Sequence, residues 1–308
     1  MHRLRTCFLI FLAIFVAGAV ALARNGEGQS TNDAAVIRQA AEQGDAGAQF
    51  NLGVMYENGH GVPQDDTRAA TWFRKAADQG CAEAQNHLGL MCVLGRGVPQ
   101  DYRQAVNWFR KAAEKGNADA QFNLGVLYQN GHGVQQDDAQ AVVWYRKAAQ
   151  QGHASAEFNL GLLCDAGRGL PQDSPQALLW YRKAAELGYA PAQFKLGSSY
   201  DTGLSVPRDY GQALLWYGRA AEQGDLHAQF SLGVMYQDGF GVLQDYVQAV
   251  GWYRKAAEQG LAAAQYSLGL MYKYGRGVPQ DQAQATAWLR KAAEQGDADA
   301  QSSLSTMR

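Results

Sequence analysis

Residues 97–116 read GVPQDYRQAVNWFRKAAEKG, and residues 61–80 read GVPQDDTRAATWFRKAADQG. The two stretches lie 36 residues apart, and closely similar stretches recur to give seven copies along the chain. A fixed period of this length is typical of a solenoid, in which small structural units stack on one another. All seven tryptophans of the chain keep the period: Trp72, Trp108, Trp144, Trp180, Trp216, Trp252 and Trp288.

One repeat has the pattern of two helices joined by a turn. In AQFNLGVMYEN, residues 48–58, the side chains of Leu52, Met55 and Tyr56 recur at helical spacing and form one apolar stripe. Gly59 follows, and glycine takes the left-handed conformation that ends many helices. An extended connector then leads to Asp65, which recurs in every repeat and is a residue type favoured at helix N-caps. The sequence therefore predicts a helix–turn–helix unit.

The second helix of each repeat is predicted to bury aromatic side chains. Trp72 and Phe73 lie between the small residues Ala69 and Ala76, and we interpret these side chains as core. Gly53 recurs in the first helix of every repeat, although a glycine inside a helix costs about 1 kcal/mol relative to alanine. We expect the glycine to permit close packing of the partner helix, under the tryptophan ring.

The array has a partial repeat at each end. Residues 33–44 match a second helix alone, and residues 300–308 begin an eighth first helix whose serines suit the polar end of a stack. Residues 33–308 are therefore predicted to form an all-α solenoid. The seven full 36-residue repeats are 48–83, 84–119, 120–155, 156–191, 192–227, 228–263 and 264–299.

The first 23 residues have the pattern of a secretory signal peptide. Arg3 and Arg5 precede an apolar run over 7–22, and the run ends in the small-residue motif Ala21-Leu22-Ala23. The run is shorter than the ~20 residues that span a bilayer, which favours cleavage after Ala23 over a permanent anchor. We expect a polar linker over 24–32, a periplasmic or secreted protein, and no stable membrane insertion after cleavage.

Composition excludes two classes of protein. After removal of the signal, 25 basic and 29 acidic residues remain, and this net charge of −4 argues against a nucleic-acid partner. Cys81, Cys92 and Cys164 would also remain. Their odd number and their places in the repeat do not fit a disulfide scaffold.

The repeat A-Q-x-x-L-G-x-x-Y-x-x-G-x-G-V-P-Q-D-x-x-x-A-x-x-W-[YF]-R-K-A-A-E-Q-G-x-A resembles the Sel-one-like repeat family, which is related to the tetratricopeptide repeats. The resemblance implies a right-handed α/α superhelix that acts as a non-catalytic adaptor for another protein or peptide. It also implies that the first helices line the concave face. Bacterial relatives with signal peptides are often periplasmic or secreted.

An enzyme is the main alternative. Some cysteine-rich bacterial relatives are linked to β-lactams. The alternative function is therefore that of an envelope enzyme or binder acting on β-lactams or peptidoglycan. The chain lacks the regular cysteine pair of those relatives, and it contains neither S-x-x-K nor G-x-S-x-G. A carbohydrate-binding module would need exposed aromatic rings in the groove, whereas we interpret the tryptophans as core.

No motif predicts a cofactor or a metal. His60 and His132 occupy turns two repeats apart, where the other repeats carry arginine, leucine or phenylalanine. His153 and Glu157 are spaced i, i+4, but His153 stands where Asp45 and Asn117 stand in other repeats. We therefore interpret His153 as a helix cap.

Two rows of variable positions on the first helices mark the predicted binding surface. The first-helix ladder lies beside the apolar stripe, and the helix-end ladder lies seven residues further along. Both rows vary while their neighbours stay constant, and amide side chains suit hydrogen bonding to an extended peptide. The first-helix ladder is Asn51, His87, Asn123, Asn159, Lys195, Ser231 and Ser267; the helix-end ladder is Asn58, Leu94, Asn130, Ala166, Thr202, Asp238 and Tyr274.

The fifth repeat is the least regular. Ser205 replaces a turn glycine, and Gly211 and Gly218 enter the second helix. Each helix glycine weakens the helix by about 1 kcal/mol. We favour degeneration of the repeat, with a hinge or a polar pocket as the alternatives.

Overall fold

The computed structural model describes residues 27–307, and every helix or strand assigned there is an α-helix. The described chain falls into two compact units, one ending at residue 100 and the other beginning at residue 101. The first unit contains α1 (Glu27–Glu42), α2 (Ala46–Asn58), α3 (Asp66–Asp78) and α4 (Ala82–Leu94). The second contains α5 (Tyr102–Glu114), α6 (Ala118–Asn130), α7 (Asp138–Ala149), α8 (Ala154–Ala166), α9 (Ser174–Glu186), α10 (Ala190–Thr202), α11 (Tyr210–Glu222), α12 (Leu226–Asp238), α13 (Tyr246–Glu258), α14 (Ala262–Tyr274), α15 (Gln282–Glu294) and α16 (Ala298–Ser305).

Within each unit the helices pair into hairpins stacked on their neighbours, which is the predicted α/α solenoid architecture. The N-terminal boundary differs from the prediction. Helix α1 begins at Glu27, inside the segment expected to be a linker, and not at residue 33. Polar composition suggested a linker, but this segment contains no proline to stop a helix. The predicted signal, 1–23, lies outside the described residues.

The recurring aspartate caps the second helix of each hairpin, which confirms the prediction. The Asp65 carboxylate accepts a hydrogen bond of 2.9 Å from the backbone N–H of Arg68. Asp101 accepts two such bonds, and they lower the pKa of its carboxyl group. Gly59 ends α2 at φ 72°, in the left-handed region that an L side chain rarely adopts. The equivalent caps are Asp101, Asp137, Asp173, Asp209, Asp245 and Asp281.

The large side chain buried in each hairpin is the residue after the tryptophan. Phe73 is completely buried, whereas Trp72 is half-buried. Ala69, Phe73 and Ala76 are spaced i, i+4, i+7 and face the first helix, and Trp72 is rotated away from this stripe. The prediction that the tryptophans form the core is confirmed for Trp216, which is 7% exposed; the other tryptophans are half-buried, and Trp180, Trp252 and Trp288 pack at the edge of core clusters. The buried equivalents of Phe73 are Phe109, Tyr145, Tyr181, Tyr217, Tyr253 and Leu289.

The tryptophans lie at the side of the second helix, beneath a cation. The Lys75 ammonium group is 4.0 Å from the centroid of the Trp72 ring, and every tryptophan has a lysine or arginine at the same spacing. Such a contact stabilises by about 0.5–1 kcal/mol at an exposed site. Trp180 also packs against the core of α7 and α8, and therefore helps to join successive hairpins.

The first-helix glycine receives the buried ring. A Cβ atom on Gly53 would lie 2.6 Å from two ring carbons of Phe73. On Gly125 it would lie 2.7 Å from the Tyr145 ring. The predicted reason for the glycines, close approach of the partner helix, is confirmed; the predicted ring, that of the tryptophan, was wrong.

A buried row of glutamines links successive repeats. The Gln49 amide donates to the Ala41 carbonyl at 3.1 Å, and its own oxygen accepts from Gln79 at 2.8 Å. The row departs from glutamine in two places: Lys115 stands at one donor position, and Glu157 and Leu187 replace both the acceptor and its usual donor in another repeat. Burial raises the pKa of the Glu157 carboxyl group. The altered pair lies 30 residues apart, as do Gln49 and Gln79.

Ser205 is the only residue other than glycine with a positive φ in the described part of the chain, at 67°. Its counterpart in the preceding repeat, Gly169, packs closely against the backbone carbonyl of Asp138. A Cβ atom on Gly169 would clash with that carbonyl oxygen. The left-handed conformation costs an L-residue about 1–2 kcal/mol. The fifth repeat therefore contains backbone strain, although its helices α10 and α11 are complete.

Replacing Gly125 with alanine is expected to destabilise the protein by about 1–3 kcal/mol, because the new methyl group would press on the Tyr145 ring. Gly251→Ala is the matched control: this glycine is exposed inside α13, and nothing lies within 4 Å of an added Cβ. The control should stabilise the helix by about 1 kcal/mol. Urea unfolding followed by circular dichroism measures both, and a stabilising Gly125→Ala would contradict the packing role.

Ser205→Gly is expected to raise the free energy of unfolding by about 1 kcal/mol, since glycine adopts this φ without strain. The measurement is the shift in urea midpoint. Gly203→Ala, at the neighbouring left-handed position of the same turn, should shift the midpoint in the opposite direction. A destabilised Ser205→Gly variant would show that the serine hydroxyl outweighs the strain.

Candidate interaction surface

The first-helix ladder is half-buried, apart from Asn51, which is exposed. From the second repeat onward, contacts join several of its members to the buried ring fourteen residues earlier. The His87 ring packs on Phe73 with centroids 4.8 Å apart, and the Lys195 ammonium group lies 5.6 Å from the Tyr181 ring centroid. These ladder members therefore contact the core as well as the surface.

In three of the four hairpins whose buried ring is a tyrosine, a ladder side chain lies beside the tyrosine hydroxyl group as a hydrogen-bonding partner. Asn159 bonds to Tyr145, Ser231 to Tyr217, and Ser267 to Tyr253. Burial raises the pKa of all three tyrosines, that of Tyr217 to about 12. These hydroxyl groups therefore remain protonated at neutral pH.

A second set of partners was missed in the sequence. The Tyr145 hydroxyl donates to the Gln129 side-chain oxygen at 2.6 Å, and the Tyr253 hydroxyl donates to Gln237 at 3.1 Å. In the fourth repeat the corresponding residue, Asp165, accepts from Ser174 at 2.8 Å, and the buried Tyr181 hydroxyl has no partner among the described residues. The available signal was a polar residue directly before the helix-end ladder in most repeats.

The helix-end ladder is the more accessible of the two rows. Its members lie at the C-terminal ends of the first helices, and all are exposed except the half-buried Leu94. Tyr274 is flanked by two cations, the Lys273 ammonium group 5.5 Å and the Arg276 guanidinium group 5.6 Å from its ring. The exposed members are Asn58, Asn130, Ala166, Thr202, Asp238 and Tyr274.

Charged residues cluster beside the ladder in the first unit. The Glu57 carboxylate lies 3.1 Å from His87 Nδ1 and 3.9 Å from Arg96. Arg96 also donates two hydrogen bonds to Asp66, at 2.8 and 3.1 Å, and this contact raises the pKa of the guanidinium group. In the second unit Arg168 pairs with Asp138 in the same way, at 2.9 Å twice.

These ion pairs belong to a contact that recurs with other residue types. The residue between the two turn glycines packs on the start of the second helix of the preceding repeat, thirty residues earlier. His132 lies on Tyr102 with ring centroids 4.9 Å apart, and Phe240 lies on Tyr210 at 5.0 Å. The Arg276 guanidinium group lies 5.9 Å from the Tyr246 ring centroid.

The histidine that was predicted to cap a helix does so. His153 Nδ1 accepts from the backbone N–H of Ala156 at 3.2 Å, and its ring stacks on Phe122 at 4.6 Å. Within residues 27–307 no group of three or more His, Cys, Asp or Glu side chains is placed to hold a metal ion. No disulfide joins Cys81, Cys92 and Cys164.

None of the helices between residues 27 and 307 combines the length and apolar character needed to cross a membrane. The surface offers amides, hydroxyl groups and both signs of charge on a rigid helical frame. Such groups recognise peptide backbone and polar side chains.

A double-mutant cycle tests whether the ladder supports the core. Asn159→Ala should destabilise the protein by about 1 kcal/mol, and by less in a Tyr145→Phe background, because the phenylalanine needs no partner. Asn51→Ala, at the exposed end of the ladder, should change stability by less than about 0.5 kcal/mol. Equal losses at Asn159 in both backgrounds would refute the coupling.

The Sel1 repeat family matches seven consecutive windows of the chain: 46–81, 82–117, 118–153, 154–189, 190–225, 226–261 and 262–297. These windows begin two residues before the repeats counted above, because the period is cut at a different residue. No curated protein matches the chain.

Two solved structures share the fold and much of the sequence. A protective antigen of uropathogenic Escherichia coli with an SLR fold is 42% identical, over 89% of this chain and 59% of that one, with a TM-score of 0.84. A Sel1 repeat protein from Oxalobacter formigenes is 39% identical, over 93% and 83%, with a TM-score of 0.73. The chain thus spans only 59% of the length of the antigen. By its seven repeats and these likenesses, the chain belongs to the Sel1 repeat family.

Proposed function

We propose that the protein is an exported, non-catalytic scaffold that binds another protein or a peptide across its first helices. The observation that carries the proposal is the helix-end ladder: exposed positions whose chemistry differs from repeat to repeat on an otherwise constant frame. The Sel1 repeat fold is typical of protein–protein interaction, and a repeat surface recognises its partner through such variable positions.

The exposed amides are the preferred contact residues. Asn51 and Asn58 lie on α2, Asn130 ends α6, and all three are exposed. An amide group both donates and accepts hydrogen bonds, and therefore suits the alternating N–H and C=O groups of a peptide. The half-buried ladder members that contact core rings contribute shape and rigidity to the same surface.

Export is part of the proposal and rests on the sequence of residues 1–23. A basic start, an apolar run and a small-residue end favour cleavage after Ala23 and release to the periplasm or the medium. The partner is then expected to be an envelope or extracellular protein.

The test is affinity capture with the protein beginning at Arg24, which retains every described helix. A variant with Asn51, Asn58 and Asn130 changed to alanine should lose a partner that the wild type captures from envelope extract or medium. With that partner purified, calorimetry should show at least about tenfold weaker binding, as expected when hydrogen bonds worth ~1.4 kcal/mol are removed.

The control variant changes three exposed glutamines of the second helices, Gln104, Gln140 and Gln248, to alanine. It should bind as the wild type does. Equal binding by wild type and the asparagine variant would overturn the proposed site. Turnover of nitrocefin, or covalent labelling by fluorescent penicillin, would overturn the non-catalytic assignment.

A further inference from the structure

Four exposed apolar side chains of the second unit lie in or next to the turns of two successive repeats. The tip patch consists of four residues in or next to the turns of the fifth and sixth repeats: Leu204, Phe240, Leu243 and Val247. Their exposures are 69%, 39%, 88% and 66%. Leu243 and Val247 are four residues apart, across the turn that leads into α13, and Phe240 lies in the same turn.

The patch departs from the other repeats at each of its positions. Where Leu204 and Phe240 stand, other repeats carry histidine or arginine. Leu243 replaces the proline found in five repeats and the glutamine of another, and Val247 replaces smaller or polar residues in most repeats. Phe240 packs on Tyr210, a contact that His132 makes on Tyr102 in the third repeat, so an apolar side chain is not required there. The equivalent edge in the fourth repeat carries the closed pair Arg168–Asp138.

Cations surround the patch and are not neutralised there. Arg208, Lys273 and Arg276 form no salt bridge with any carboxylate of the described chain. They lie instead near tyrosine rings: Arg208 is 5.8 Å from Tyr210, and Arg276 is 5.9 Å from Tyr246. Asp209 and Asp245 accept hydrogen bonds from backbone amides at helix starts. Asp209 and Asp238 are both exposed carboxylates at this edge.

We propose that the tip patch docks reversibly on an anionic lipid bilayer, with Leu204, Phe240, Leu243 and Val247 entering the interface and Arg208, Lys273 and Arg276 contacting lipid phosphates. In a bilayer surface, apolar side chains reach the acyl chains, tyrosine rings lie at the headgroup level, and cations without a carboxylate partner contact the phosphates. This docking goes beyond the proposed scaffold function and uses none of the exposed amides of α2 and α6.

A bilayer fits the patch better than a protein groove does. The most exposed side chain, Leu243, stands on a turn between helices, where it can penetrate the ~5–10 Å of the interfacial region while the helices remain outside it. A protein partner of an apolar patch would instead be expected to enclose large side chains in pockets. Here the apolar side chains stand in or next to turns, and Arg208, Lys273 and Arg276 lie in or next to turns of the same repeats or of the next one.

The test is co-sedimentation of the protein beginning at Arg24 with vesicles of equal parts phosphatidylglycerol and phosphatidylcholine. The repeat-matched variant carries Leu204→His, Phe240→His, Leu243→Pro and Val247→Ala, each a residue type that other repeats have at that position. Its fold is protected by this choice, because Phe240→His recreates the Tyr102–His132 pair. We expect a loss of partitioning of at least about 100-fold, from four apolar side chains that no longer enter the interface.

The reverse variant transfers the patch to the third repeat, with His132→Phe, Gln135→Leu and Ala139→Val, and should bind more tightly than wild type. Pure phosphatidylcholine vesicles and high salt should each weaken binding, by about fivefold for each cation that loses its lipid contact. The asparagine variant of α2 and α6 should bind vesicles normally, which separates this test from that of the scaffold function. Absence of wild-type binding, or equal binding by the repeat-matched variant, would overturn the proposal, and the patch would then be assigned to a protein partner.

Discussion

The contact between a first-helix glycine and the ring that follows each tryptophan determines how closely the two helices of a hairpin pack. A Cβ at Gly53, Gly125 or Gly233 would overlap that ring, so glycine is retained inside the helix despite its low helix propensity. The close approach buries the ring and leaves the tryptophan beside it, under a lysine.

The buried ring also constrains the surface. Tyr145 brings a hydroxyl group into the hairpin, where it donates to Gln129 and lies beside Asn159. Phe73 brings none, and a histidine ring packs on it instead. Part of the variation along the first-helix ladder is therefore compensation for the choice of tyrosine or phenylalanine. Positions that touch no core ring are the ones at which variation is available for recognition.

Features of the fold that depend on a few neighbouring residues could be predicted from the sequence. The 36-residue period, the aspartate caps and the glycine helix ends each depend on a few adjacent residues, and the structure has them as expected. The choice between Trp72 and Phe73 as core depends on helix phase, and two adjacent apolar residues do not reveal it by their type. The spacing of Ala69, Phe73 and Ala76 was the available clue. The altered pair Glu157 and Leu187 could be recognised only by comparing residues thirty positions apart in the sequence, because the buried glutamine bonds to a donor in the next repeat.

That same offset explains why the turn edge varies so widely. Four pairs occupy equivalent positions and differ in chemistry: an ion pair, two contacts between aromatic rings and a cation–π contact. They are Asp66–Arg96, Tyr102–His132, Tyr210–Phe240 and Tyr246–Arg276. Each holds a turn against the preceding repeat, so the fold requires a contact and accepts several chemistries for it. An ion pair leaves the edge polar and neutral, whereas a ring stack leaves it apolar. The edge can therefore change from one surface type to another along the array without any change in the core, which the first-helix ladder cannot do.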